Sequence, residues 1–403
     1  MDDVMWWDSE IEDYRREIRA FAEEHVAPVA GWMDENAEFD PDLLGKMRRQ
    51  GVLSLLCPVE HGGPGAGTFK YAVAVEELSR ICGSTGITVA AANSLGVYPI
   101  DLFGSPEQRA MVLPGVAKEG HVIAFGLTEP DAGSDAAGTK TTAVREGDEW
   151  VLNGSKCFIT NGHFAEWIIA TAVTTPGIGA RGISSFLMHK SIPGFSTGRP
   201  EKKMGLKGSD TTTLHFDGVR LPADAILGPE NEGFKQFMKT LDGGRISIGA
   251  MALGLAQGAF EIAVHYAKKR EQFGRPIADQ QAIQWKIADM GTQIETARHL
   301  VYHSAWLKDR SLPFAKQAAM AKLHASEVGR FCAYQAIQVL GGAGFMSANT
   351  VERHFRDVKL CEIGEGTSEI QRIVVSRHIL REFDAFVDTM SPAAKLESDA
   401  VKT

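Results

Sequence analysis

FGLTEPDAGSD, residues 125–135, marks the point where the character of this chain changes. Gly, Pro, Asp and Ser cluster there, so the segment is a loop. It is either a plain connection or one whose amides and hydroxyls (Thr128, Ser134) face a ligand. Ahead of it the pattern is helical. Between residues 10 and 26, Ile11, Tyr14, Ile18, Phe21 and Ala22 recur at spacings of three and four, and Pro28 is expected to end that helix. In FDPDLLGKMRRQG, Asp40 is the expected N-cap, Pro41 the first helical residue and Gly51 the stop. EHGGPGAG (60–67) reads as a loop, and YAVAVEELSRI and ITVAAANSLGVYPI as two further helices.

After residue 122 the runs become strand-like. TTAVRE and EWVLNG flank Gly147–Asp148, a hairpin signal; FAEWIIATAVT, GISSFLMHK and DTTTLHFDGVRLP add β-branched, alternating segments. The helical period returns near 233–268, 280–309, 314–340 and 367–384. The expected division is a helical unit over 1–122, a β unit over 123–232, a helical bundle over 233–390 and a solvated tail over 391–403. The fold class is mainly α with a central β domain.

Composition narrows the function. The 403 residues carry 42 basic against 51 acidic side chains, a net charge of −9, which argues against nucleic-acid binding. Five isolated cysteines with no CxxC pair fit neither a disulfide framework nor a thiolate zinc site, and suit a reducing compartment. The acidic start MDDVMWWDSE resembles no signal or transit peptide, so the chain reads as soluble and cytoplasmic. The most apolar stretch, Ile246–Val264, contains small residues, Gln257 and Glu261, and reads as a packed core helix with no membrane insertion. His299 and His303 lie four apart, but no third ligand is placed nearby, and no metal is expected. RPEKKMGLK (199–207) reads as a solvated face. No G-x-G-x-x-G, P-loop or G-x-S-x-G motif is present.

Two further segments carry chemistry. In VLNGSKCFITNG (151–162), Asn153–Gly154 and Thr160–Asn161–Gly162 read as turns, with Phe158 between them, either a core strand residue or an aromatic wall for a flat cofactor. In CEIGEGTSEIQR (361–372), Glu365 sits between two glycines just before a helix that Thr367 can cap. It is either a solvated loop carboxylate or a general base whose proton affinity is raised by apolar surroundings and lowered by the helix N-terminus.

These three segments, with LDGGRISIGAMALGLAQGAFE (241–261), KKREQFGRPI (268–277) and QVLGGAGF (338–345), resemble in order and separation the acyl-CoA dehydrogenase family of flavoproteins, most closely its short- and medium-chain members. The resemblance runs from about residue 10 to about residue 385. It implies an N-terminal helical domain, a middle β-barrel-like domain and a C-terminal four-helix bundle. It further implies a homotetramer, a dimer of dimers, with FAD in each subunit and electrons passed to an electron-transferring flavoprotein. The implied reaction is α,β-dehydrogenation of an acyl-CoA to the trans-2-enoyl-CoA, with Glu365 removing the α proton.

By the same resemblance, Phe125, Thr128, Gly133, Ser134, Phe158, Ile159, Thr160, Thr367 and Glu369 match cofactor contacts. Arg270, Phe273, Gln281, Gln338, Gly341 and Gly342 match residues that reach the FAD of a neighbouring subunit, where an arginine can neutralise pyrophosphate oxygens. Ser134, Asp242, Arg245 and Gly366 match substrate contacts. Three positions depart from the pattern. Gly244 stands where some relatives carry the base, leaving Glu365 as the candidate; Gly364 stands where many have tyrosine, widening the expected acyl pocket; Phe158 stands in for the usual tryptophan. A same-fold flavin oxidase and a non-enzymatic acyl-CoA-binding protein are the alternatives.

Overall fold

The computed structural model describes residues 6–389, so the tail at 391–403 lies outside the described residues. Seven helices come first: α1 (Ser9–Phe21), α2 (Ala27–Asn36), α3 (Pro41–Gln50), α4 (Gly67–Ile81), α5 (Gly83–Ala91), α6 (Tyr98–Phe103) and α7 (Pro106–Glu119). Asp40 caps α3 by accepting from the Leu43 N–H at 2.6 Å, with Pro41 first in the helix and Gly51 left-handed at its end. Pro28 does not stop its helix. A π-helical turn over Ala22–Val26, closed by the Ala27 N–H on the Ala22 carbonyl, resets the hydrogen-bond register. Pro28 then falls in the first turn of α2, where its missing N–H leaves nothing unpaired.

Seven strands follow: β1 (Val122–Gly126), β2 (Thr142–Glu146), β3 (Glu149–Thr160), β4 (Ala165–Val173), β5 (Ile183–His189), β6 (Phe195–Thr197) and β7 (Thr211–Pro222). They form one curled sheet in the order β1-β4-β2-β3-β7-β6, with β5 on the free side of β4. The Gly147–Asp148 turn joins β2 to β3 as the sequence requires. Asn153–Gly154 is no turn. β3 runs straight through it, and the ladder to β7 slips there because Gly154 adopts φ +145, a bulge that only glycine accommodates easily.

The C-terminal part comprises α8 (Gly233–Lys269), a small hairpin of β8 (Glu271–Gln272) and β9 (Arg275–Pro276), α9 (Gln281–Asp309), α10 (Ala315–Leu340), α11 (Val351–Val358) and α12 (Ser368–Thr389). Among the described residues α8 alone is long and apolar enough to cross a membrane, yet 78% of its apolar window is buried inside the protein. Its small residues let α4, α9 and α10 pack closely round it, and this forms the main core. The 199–207 stretch is not simply a solvated face. Leu206 is buried with φ 51, and its N–H donates to Asp357 Oδ1 at 2.5 Å, so the segment clips the β unit onto α11. The paired histidines flank an aromatic residue, His303 stacking on Trp6 at 5.5 Å.

Candidate active site

Glu365 lies in the short link between α11 and α12, in a left-handed conformation (φ 52) followed by left-handed Gly366 (φ 92). Glutamate pays a steric penalty there of roughly 1–2 kcal/mol, so neighbours must impose the turn. Two side chains do so. Gln371 Nε2 donates to the Glu365 carbonyl at 3.2 Å and to the Gly366 carbonyl at 2.8 Å, and Lys322 Nζ donates to the same Gly366 carbonyl at 2.6 Å. Ser326 ties the preceding turn through the Cys361 carbonyl at 2.7 Å, and Thr367 Oγ1 accepts the Ile370 N–H at 3.3 Å as α12 begins.

This turn drives the carboxylate into the helical core. The residue as a whole is half-buried, but Oε2 is sealed from solvent and has no hydrogen-bond partner. It rests on Gly244 of α8, where any Cβ would overlap the carboxylate. Burial raises the Glu365 carboxyl to about 7 against the opposing pull of Lys322 and Arg245. Arg245 is buried; its Nη1 is committed to Asp242 Oδ1 at 2.5 Å, while its Nε has no partner. Burial lowers the Arg245 pKa and raises that of Asp242, in each case against the pull of the other. Tyr71 of α4 is buried alongside and donates to the Ala90 carbonyl at 2.6 Å.

A second group of predicted residues gathers on β1, β3 and the loop between β1 and β2. Phe158 is a non-glycine residue at φ 60, at a second bulge in β3 between Lys156 and Ile159, and it is 67% exposed. It is therefore no core residue: an aromatic ring is held out of the sheet at a cost in backbone strain. Ile159 beside it is buried and Thr160 half-buried. The Cys157 N–H donates to the Thr128 carbonyl at 2.8 Å, which lays the 125–134 loop along the same strand. Phe125 and Thr128 are half-buried, and Gly133 and Ser134 are exposed.

Underneath, Glu129 and Lys156 form a buried pair at 2.6 Å. Glu129 also accepts from Thr139 Oγ1, the Lys140 N–H and the Thr141 N–H, and Lys156 donates to the Leu127 carbonyl at 3.2 Å. Helix α5 joins the two groups, since Asn161, just past Thr160, donates to the Thr88 carbonyl at 3.1 Å and Tyr71 reaches Ala90 on the same helix.

The remaining predicted residues are elsewhere. Arg270, Phe273 and Gln281 sit exposed where α8 ends and α9 begins, and Gln338, Gly341 and Gly342 sit exposed at the end of α10. Lys286 and Gln335, bonded at 2.6 Å, hold these two helix ends together. At 1.5 Å per residue the distance along α8 from Gly244 to Arg270 is ~39 Å, so this end of the bundle is remote from Glu365 of the same chain. Thr367 is half-buried and Glu369 exposed at the start of α12.

Sequence reasoning missed Lys322, Gln371, Tyr71 and the Glu129–Lys156 pair. Lys322 carries one legible signal, being spaced three and four residues from Ala318, Ala319 and Ala325 on the buried face of α10.

A curled sheet between helical units, with a buried and partnerless glutamate oxygen at the edge of the bundle, is the frame for the comparison with known proteins. The chain belongs to the acyl-CoA dehydrogenase family of flavoprotein oxidoreductases. Models of that family's N-terminal, middle and C-terminal domains match residues 8–120, 124–219 and 231–380. It is 48% identical over 368 residues to probable acyl-CoA dehydrogenase YngJ of Bacillus subtilis, covering 91% of this chain and 97% of that protein. Butyryl-CoA dehydrogenase from Megasphaera elsdenii superposes with a TM-score of 0.91 at 40% identity, over 94% of this chain and all of that one. A chain solved in work on the electron transferring flavoprotein of Acidaminococcus fermentans gives a TM-score of 0.92 at 45% identity, with 94% and 100% covered.

Proposed function

We propose that this enzyme dehydrogenates acyl-CoA thioesters to trans-2-enoyl-CoA, with Glu365 as the base that takes the α proton, and passes the electrons to an electron-transferring flavoprotein. The observation that carries the reading is the sealed Oε2. A carboxylate with no donor and a proton affinity near neutrality is poised to accept a proton from carbon. Among the described residues no acceptor takes the Glu365 N–H, which leaves that donor free to stabilise charge on the thioester oxygen as the proton departs. Glu365, fixed by Gln371 and Lys322, loses little freedom when the substrate arrives. Asp242, Arg245, Ser134 and Gly366 are the candidate contacts to the substrate.

The residues on β1 and β3 fit a flat, fused-ring cofactor, the exposed and strained Phe158 ring above all. We assign FAD to Phe125, Thr128, Gly133, Ser134, Phe158, Ile159, Thr160, Thr367 and Glu369. When bound, the flavin supplies the acceptor for the β hydride. Arg270, Phe273, Gln281, Gln338, Gly341 and Gly342 would serve the cofactor of a second copy, since they are remote from Glu365 in their own chain. At that end Phe273 is 94% and Phe345 79% exposed, an apolar surface suited to assembly into the homotetramer.

The test is anaerobic mixing of the purified protein with a panel of acyl-CoAs while visible flavin absorbance is followed. Bleaching by some thioesters, reversed on adding electron-transferring flavoprotein, is the expected result. A yellow protein bleached by none of them would contradict the assigned reaction, and rapid recolouring by oxygen alone would favour an oxidase.

A further inference from the structure

We propose that Lys322 is a positioning residue for Glu365: its ammonium group, bonded to the Gly366 carbonyl, fixes the left-handed turn that aims the carboxylate at Gly244 and sets a positive charge behind it. This rests on the reading of Glu365 as the base.

Lys322 is fully buried in α10, and the Gly366 carbonyl is its single hydrogen-bond partner; among the described residues no carboxylate lies within ion-pair distance. Burying an ammonium without a counter-charge is expensive, and such a group persists where something compensates it. The turn itself does not require the charge, because the neutral amide of Gln371 already donates to the same carbonyl.

The other titratable groups facing this corner are committed or neutral. Arg245 of α8 is paired with Asp242 at 2.5 Å, and Glu362 with Arg330 at 2.9 Å and Lys359 at 2.6 Å. The Tyr71 hydroxyl of α4 donates to Ala90, and burial pushes the Cys361 thiol up to about 12, so both stay uncharged. Lys322 and Arg245 are thus the cations acting on Glu365, and of the two Lys322 has no carboxylate of its own among the described residues. Burial lowers its pKa to about 8, against the pull of Glu365, and the charge survives at neutral pH. A cation behind the base favours its ionised form, and this keeps a deeply buried carboxylate usable where it would otherwise stay protonated.

The experiment compares pH profiles of anaerobic flavin reduction in the FAD-loaded enzyme for the parent, Lys322→Met, Lys322→Gln and Gln371→Leu, with flavin content and melting recorded for each. Loss of the cation should raise the proton affinity of Glu365. The acid limb of both Lys322 variants should therefore move up by about one pH unit, making each about tenfold slower than the parent at pH 6 once every rate is divided by its own plateau. Gln371→Leu should lower the plateau and leave the midpoint in place.

If Lys322→Met does not fold, Lys322→Gln decides on the same readout, since it retains a donor without a charge. The proposal is overturned if the Lys322 variants keep the parental midpoint, or if Gln371→Leu moves the limb equally. Failure of the underlying reading looks different, because Glu365→Gln would then still be reduced by substrate.

Discussion

Two glutamate carboxylates in this protein, those of Glu129 and Glu365, have surroundings that could hardly differ more. Glu129, in the loop between β1 and β2, has partners for both oxygens. Burial alone would push its carboxyl up, but the Lys156 charge and hydrogen bonds from Lys156, Thr139 and Lys140 bring it down to about 2. Glu365, at the edge of the bundle, has an oxygen with no partner and rises to about 7. The first is a fastener, ionised throughout the neutral range and joining a loop to a strand. The second has been left short of donors by the fold. A buried carboxylate whose bonds are complete stabilises; one whose bonds are withheld is available for chemistry, at a cost in stability.

The same substitution at the two sites should therefore have opposite effects. Glu365→Gln should slow flavin reduction by acyl-CoA on the order of 10³-fold or more, the upper range for removing a general base. Its unfolding midpoint at pH 8 should hold or rise, because a carboxyl raised by burial destabilises the fold once pH exceeds its ordinary value near 4.5. Glu129→Gln should do the reverse. It strands the Lys156 ammonium and costs about 3–5 kcal/mol in denaturant unfolding, with the chemistry of the molecules that remain folded little changed.

In the parent, the Glu129 contribution is present above about 4.5 and lost as pH falls towards about 2, which an acid-unfolding series would register. Gly244→Ala probes the seat of the base without touching it. A methyl overlapping Oε2 displaces the carboxylate, and turnover should fall on the order of 10²-fold, with circular dichroism melting recorded as a control. The smallest effect belongs to the strained ring. Phe158→Gly should relieve the left-handed backbone and stabilise the apoprotein by about 1 kcal/mol or less, while FAD affinity measured by fluorescence titration falls.

The contrast between the two glutamates also explains what could be read from the sequence. Periodicity laid out the helical and strand regions because each buries one face, and Asp40–Pro41 and Gly147–Asp148 marked boundaries through local backbone chemistry alone. Local signals failed where a register shift intervened. The π turn before Pro28 and the bulge at Gly154 leave no trace in residue type that distinguishes them from a stop or a turn.

Glu365 was legible as a candidate through its flanking glycines and the family resemblance, and a proton affinity raised by apolar surroundings was one of its two readings; the charges that oppose that rise were not legible, since Lys322 and Arg245 are brought in from two other helices. Lys156 was invisible as well, because nothing near it in the chain says that a lysine will be buried, and Lys322 showed only in its spacing from the alanines of the buried face of α10. Leu206 was misread for the same reason, its neighbours being charged while its partner Asp357 lies 151 residues away.

The central claim is that the fold holds the Glu365 carboxyl protonated up to near neutral pH. It can be tested in the substrate-free enzyme by infrared difference spectroscopy of the parent against Glu365→Gln, following the protonated carboxyl band across a pH titration. The account predicts a band absent from the variant that disappears with a midpoint near 7. A carboxyl already ionised at pH 5 would contradict it.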